Sequence, residues 1–269
     1  MCQLIWRNNM EENSYNTIKK LLASNNPEEL RHGMELVKKE IARIGSSEAR
    51  PLFEMISAIF YIDTLDLPDL VPVLEEAISL TVGFGKWVVP VLIENLEAGD
   101  LKAQMVISHV LGRIGADAIQ PLITEYTSSS DPDRHTFILY ALSKIKSPAI
   151  VQAAQLALDA TQSPDRELRD TATRAIGKFA ESIPPAQLPE TLRKEFREKL
   201  EINLADTNAN IRTKAVRSLG KLAKYGHLTI SEREKLRLVC QRILGTDDSY
   251  DWDRAFTVRK EAEEALRYV

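Results

Sequence analysis

Residues 208–222 read NANIRTKAVRSLGKL, and forty-three positions upstream residues 165–179 read DRELRDTATRAIGKF. Ile211-Arg212 matches Leu168-Arg169, Ala215 matches Ala172, Leu219 matches Ile176, and Gly220-Lys221 matches Gly177-Lys178. The shared skeleton is apolar-Arg-x-x-Ala-x-x-x-apolar-Gly-Lys-apolar. Its apolar positions recur at helical spacing, so the stretch predicts a helix with one buried face. A helix used twice at a fixed period marks a repeat architecture.

Working outward, the same pattern recurs in weaker form. Val258-Arg259-x-x-Ala262-x-x-x-Leu266 closes the chain, with Arg267 where glycine stood. Upstream, LGRIG at 111–115 and IARIG at 41–45 share a basic residue and a terminal glycine, and each is followed by a Pro-Leu pair, 121–122 and 51–52. Gly112-Arg113, Ser143-Lys144, Gly177-Lys178 and Gly220-Lys221 stack as equivalents, with spacings of 31, 34 and 43 residues. The lengthening is assigned to the opening helix of each pair. Prolines 51, 90 and 121 fall in first turns, where a missing N–H costs little. Between the two early copies, 62–99 is a degenerate repeat that breaks at Gly83-Phe84-Gly85.

The composition agrees. The 269 residues are 44% hydrophobic, 28% charged and only 6% aromatic, with helix formers dominant, so an all-helical chain is expected. About six helix pairs and a leading helix are expected. A disordered N-terminal extension is placed at 1–12, whose first nine residues could equally reflect a misplaced start codon, and one repeat domain at 13–269. The start lacks the apolar core of a signal peptide, and no run approaches a membrane span. A soluble, cytoplasmic protein is the expectation.

These residues resemble the HEAT-repeat family, in particular the short-repeat branch first noted in phycobilisome lyases. The resemblance rests on the skeletons at 168–179, 211–222 and 258–268 and on the LGRIG and IARIG turns. It implies an all-α, right-handed α-solenoid of stacked helix pairs, whose second helices line a concave surface that usually binds another macromolecule. One pair cannot bury its own apolar stripe, so neighbours must stack.

The arginine of the skeleton (Arg169, Arg212, Arg259) is expected to pair with an acid near the turn of its own or the adjacent repeat. Asp165, Asp206 and Asp253 stand four to six residues before it. The residue after the glycine position forms a different set: Arg43, Arg113, Lys144, Lys178 and Lys221. Three positions before the glycine stand His109, Tyr140, Arg174 and Arg217, on the same helix face. These nine residues are either a solvated face or a basic, partly aromatic binding ridge. A ridge of one sign focuses its field along a groove and would take an acidic partner.

Other chemistries are weakly supported. The net charge of −4 argues against a nucleic-acid tracker. The acid-rich loop 246–254 fails as a calcium loop, because Trp252 stands where glycine is needed and Val258 where glutamate is needed. Four histidines show no metal-binding spacing, and Cys240 sits in an apolar helical row that marks a buried thiol. No cofactor, metal or catalytic residue is expected. The reading is a non-catalytic scaffold or adaptor that binds a protein partner with an acidic surface. The alternative implied by the resemblance is a bilin lyase or chromophore-handling protein, for which no residue set carrying thioether chemistry is evident.

Overall fold

The computed structural model describes residues 14–97, 100–247 and 251–269. The expected N-terminal extension, Cys2, the end of the degenerate repeat and the centre of the 246–254 loop lie outside them. Among the described residues there is no strand, and the chain is an α-solenoid of consecutive helix pairs. It divides into two compact units, Met1–Ile114 and Gly115–Val269, taken in turn here.

In the first unit, α1 covers 14–22, followed by α2 (Pro27–Ile44), α3 (Arg50–Ser57), α4 (Val71–Gly83), α5 (Val89–Glu94) and α6 (Leu101–Ile114). Local chemistry sets the boundaries of α2. Asn26 accepts from the Glu28 amide at 2.8 Å, Pro27 occupies the first turn, and Gly45 ends the helix at φ 84°. The second helices α2, α4 and α6 pack in sequence, burying Leu30, Val37, Val73, Ala77 and Val110. The expected break at 83–85 is present. Gly85 adopts φ 80°, and Phe84 stacks on Trp87 with centroids 5.9 Å apart. Across that break the apolar stretch from Pro68 to Glu94 bends by 102°, and among the described residues no single helix is long and apolar enough to cross a membrane.

The second unit holds α7 (Ile119–Ser128), α8 (Pro132–Leu142), α9 (Ala154–Ala160), α10 (Arg166–Ser182), α11 (Glu190–Asn203), α12 (Ala209–Lys224), α13 (Ile230–Leu244) and α14 (Phe256–Ala265). Opening helices lengthen from 10 residues in α7 to 14 in α11 and 15 in α13. The exception is α9, where a 3-10 turn over Pro148–Ala153 takes the place of the first helical turns. The second helices α8, α10, α12 and α14 stack face to face, and α10 and α12 are the two copies of the quoted stretch.

That stacking explains the repeated glycine. A Cβ on Gly177 would lie 2.9 Å from the Cα of Ser218, so α10 and α12 approach as closely as backbones allow. At Gly220 the same atom would meet the Ala265 Cβ of α14 at 3.1 Å. Inside the interface Ser218 Oγ donates to the Thr173 carbonyl at 2.9 Å. From α11, buried Asn203 donates to Thr173 Oγ1 at 2.8 Å, so few polar groups are stranded there.

Candidate anion-binding face

Two of the three skeleton arginines, Arg169 and Arg212, pair with acids as expected, whereas Arg259 donates to the backbone carbonyls of Asp253 and Arg254. Arg169 Nε donates to Asp206 at 2.7 Å, and Arg212 Nε donates to Asp253 at 2.7 Å, one repeat further along. Each arginine therefore reaches the acid of the following repeat, while its other nitrogen donates to carbonyls of its own turn, Ser163 at 2.6 Å and Asp206 at 2.9 Å. Asp206 and Asp253 also accept backbone amides, from Asn208 and Ala255, at 2.8 Å. Burial pushes the Asp206 carboxyl up, but hydrogen bonds from Arg169 and Asn208 outweigh it and lower it overall. For Asp253 the Arg212 hydrogen bond dominates, again downward.

The nine predicted ridge residues do not share one environment. In the first unit, Arg43 pairs with Glu40 of its own helix at 2.5 Å. Arg113 reaches Glu75 at 3.2 Å and Ser79 Oγ at 2.9 Å, and half-buried His109 lies one turn before it on α6. This face is charge-mixed. A groove of about 820 Å³ between α2 and α4 has an apolar floor including Met34, Ile41, Leu80 and Phe84, with Glu35, Glu75 and Glu76 on its rim. The periodic basic residues gave no sign of these acids.

In the second unit the ridge residues do converge. Tyr140, at the end of α8, carries Lys144 Nζ 4.8 Å and Arg174 Cζ 5.4 Å from its ring centroid. Arg174 and Lys178 from α10 then face Lys214, Arg217 and Lys221 from α12 across a pocket of about 240 Å³, with Ser218 beneath. Lys214 is an addition to the predicted set. It lies three residues before Arg217 and seven before Lys221, a spacing that places all three on one helix face.

The cations that line the pocket are paired with acids that the basic pattern concealed. Lys178 and Lys221 donate to the same Glu181 carboxylate, at 3.0 and 2.7 Å. Lys214 pairs with Asp170, and Arg217 donates to Glu261 at 2.6 Å. Glu181 was legible as the residue three after Lys178, a standard ion-pair spacing. Burial pushes the Glu181 carboxyl up, but the two lysine hydrogen bonds prevail and hold it at about 2. Burial lowers the Lys221 ammonium, and neighbouring Lys178 adds to that lowering, with Glu181 only partly offsetting it. Arg174 and Lys144 have no carboxylate partner among the described residues; each rests on Tyr140 instead.

On the other side of α12, a groove against α14 sets Glu261 and Glu264 opposite Arg217, Lys221 and Lys224. A further groove on that side sets Lys214, Arg217 and Lys260 against Glu261, so the basic lining reaches both sides of α12, and the α10–α12 pocket is the part with no acid in its own lining. Chemically the α10–α12 pocket can hold an anion. Cys240 is fully buried, and burial pushes its thiol up to about 12, which makes it an inert packing group. Among the described residues no group of three or more His, Cys, Asp or Glu could hold a metal ion.

No family model matches the chain, and no curated protein matches it. Solved structures do. An engineered protein is similar at TM-score 0.55 and 20% identity over 93% of this chain, which spans 66% of that protein's length. The complex of CpcE and CpcF of phycocyanin lyase from Nostoc sp. PCC7120 matches at TM-score 0.52 and 20% identity, over 66% of this chain and 97% of the other. A designed armadillo repeat protein in complex with the peptide (KR)4 matches at TM-score 0.50 and 16% identity, over 93% and 97%. The likeness to HEAT-like repeats, phycobilisome-lyase repeats included, holds at the level of fold.

Proposed function

We propose that this chain is a non-catalytic repeat scaffold that docks an acidic segment of a protein partner on the second-helix face of Gly115–Val269. The carrying observation is the α10–α12 pocket, where Arg174, Lys178, Lys214, Arg217 and Lys221 meet. Tyr140 and Lys144 extend the surface toward α8. Internal ion pairs hold Lys178, Lys214, Arg217 and Lys221 in place, so little side-chain entropy is lost when an anion arrives. On the first unit Arg43 and Arg113 each pair with a carboxylate, and they and His109 contribute less.

The test is direct titration with a hexaglutamate peptide and a hexaglutamine control. Saturable binding of the acidic peptide alone, weakened about tenfold by Arg174→Gln, supports docking; a loss of that size corresponds to about 1.4 kcal/mol. Equal behaviour of the two peptides removes the electrostatic basis of the proposal. Replacing Lys178 and Lys221 by glutamate is a poor probe, because it would gather three carboxylates at Glu181. Among the described residues no contact favours chromophore handling, and the likeness to CpcE and CpcF is one of fold.

A further inference from the structure

The charge count of the α10–α12 pocket goes further than "acidic". Five cations line it, and three carboxylates, Asp170, Glu181 and Glu261, are bound to four of them. Two positive charges remain in excess at one place, one of them on Arg174 and the other from the two lysines that share Glu181. A single carboxylate would neutralise only half of that excess. A phosphate monoester carries about −1.5 to −2 charges at neutral pH and presents three acceptor oxygens. The donors also match, since a planar guanidinium suits a phosphate and the ammonium groups act as point charges beside it.

The dimensions agree. A volume of about 240 Å³ accommodates one phosphorylated side chain and excludes a whole folded element. The face is also stiff where it matters. Lys178, Lys221 and Glu181 form a three-residue clamp between α10 and α12, whose backbones meet at Gly177 and Ser218.

From this we infer that the acidic segment docking here carries a phosphorylated serine or threonine, and that its phosphate sits between Arg174, Lys178 and Lys221. The inference rests on the docking proposed above and specifies its ligand. Glu181 then acts as a built-in competitor, holding both lysines until the stronger dianion arrives.

The experiment is calorimetric titration of the full chain with acetylated acidic pentapeptides whose central residue is phosphoserine, glutamate or serine, and with inorganic phosphate. The expected result is binding of the phosphoserine peptide at least about tenfold tighter than the glutamate peptide, with serine weaker still. Arg174→Gln should remove most of that margin at an unchanged melting temperature. Glu181→Gln, which deletes the competitor, should widen it. Equal affinity for phosphoserine and glutamate peptides overturns the phosphate inference and leaves acidic docking standing. Binding of inorganic phosphate as tightly as the phosphopeptide also overturns it, in favour of a small-anion site. Failure of every peptide to bind overturns both.

Discussion

Arg212 of α12 donates through Nε to Asp253 at 2.7 Å and through a terminal nitrogen to its second oxygen at 3.0 Å, so the pair is bidentate and spans two repeats. The same step is taken by Arg169 and Asp206 one repeat earlier. Bidentate geometry fixes direction as well as distance, and the ladder sets how far each repeat is displaced from the last. Removing Asp253 strands a half-buried guanidinium and also loses the acceptor for the Ala255 amide at the start of α14. We predict that Asp253→Ala lowers the stability of the second unit by about 2–3 kcal/mol and Arg212→Met by about 1–2 kcal/mol. Urea unfolding of the two single variants and the double variant checks this. Additive losses would mean that the pair is uncoupled.

The contact at Gly177 predicts a steeper response. Alanine there must push the Ser218 backbone away, because the added carbon would meet the Ser218 Cα at 2.9 Å as well as its Cβ and Oγ, and turning the hydroxyl aside relieves only the last. Gly177→Ala should cost about 3 kcal/mol, whereas Gly220→Ala, against Ala265 at 3.1 Å, should cost about 1 kcal/mol. Thermal melts of the two variants should rank in that order.

This contact shows what was legible in the sequence and what was not. The glycine, the apolar frame and the arginine recur from one second helix to the next, because each repeat presents a similar backbone surface to its neighbours. Hence α2 begins and ends where Asn26, Pro27 and Gly45 indicate, and the ladder arginines find their acids. The ridge was only half legible. Basic residues recur along it, but the acids that neutralise them come from other registers: Glu75 from α4 for Arg113, and Glu181 from the last turn of α10 for Lys221. A column drawn from one register sees only the charges in that register. Lys214 was missed for the same reason, since it lies one turn before Arg217 and two turns before Lys221, outside both reference positions.

Acid should test the Glu181 clamp. Its carboxyl is held at about 2 against an ordinary 4.5, so it is more acidic in the folded chain than in the unfolded one. Its contribution is therefore complete above about pH 4.5 and is lost as pH falls towards 2. The site is partly open to water, and screening keeps the contribution to about 1 kcal/mol. We expect the stability of Glu181→Gln to fall less steeply than wild type across that window in pH-dependent urea titrations. Parallel curves would mean that the clamp adds nothing.

Cys240 supplies an internal clock for opening of the α13 layer. Buried completely, with its thiol pushed up to about 12, it should resist alkylation in the folded chain. In a Cys2→Ser background, iodoacetamide at pH 8 should leave the native protein unmodified for hours and label it fully in urea. Rapid native labelling would show that α13 opens on its own.

The central claim is that acidic ligands settle between α10 and α12. The most direct measurement is side-chain NMR of lysine- and arginine-labelled protein during titration with an acidic peptide. The account predicts saturable shifts of the Arg174, Lys178, Lys214, Arg217 and Lys221 signals at one common affinity, with the ladder signals of Arg169 and Arg212 unmoved. Shifts centred on any other surface, or none at millimolar peptide, would contradict it.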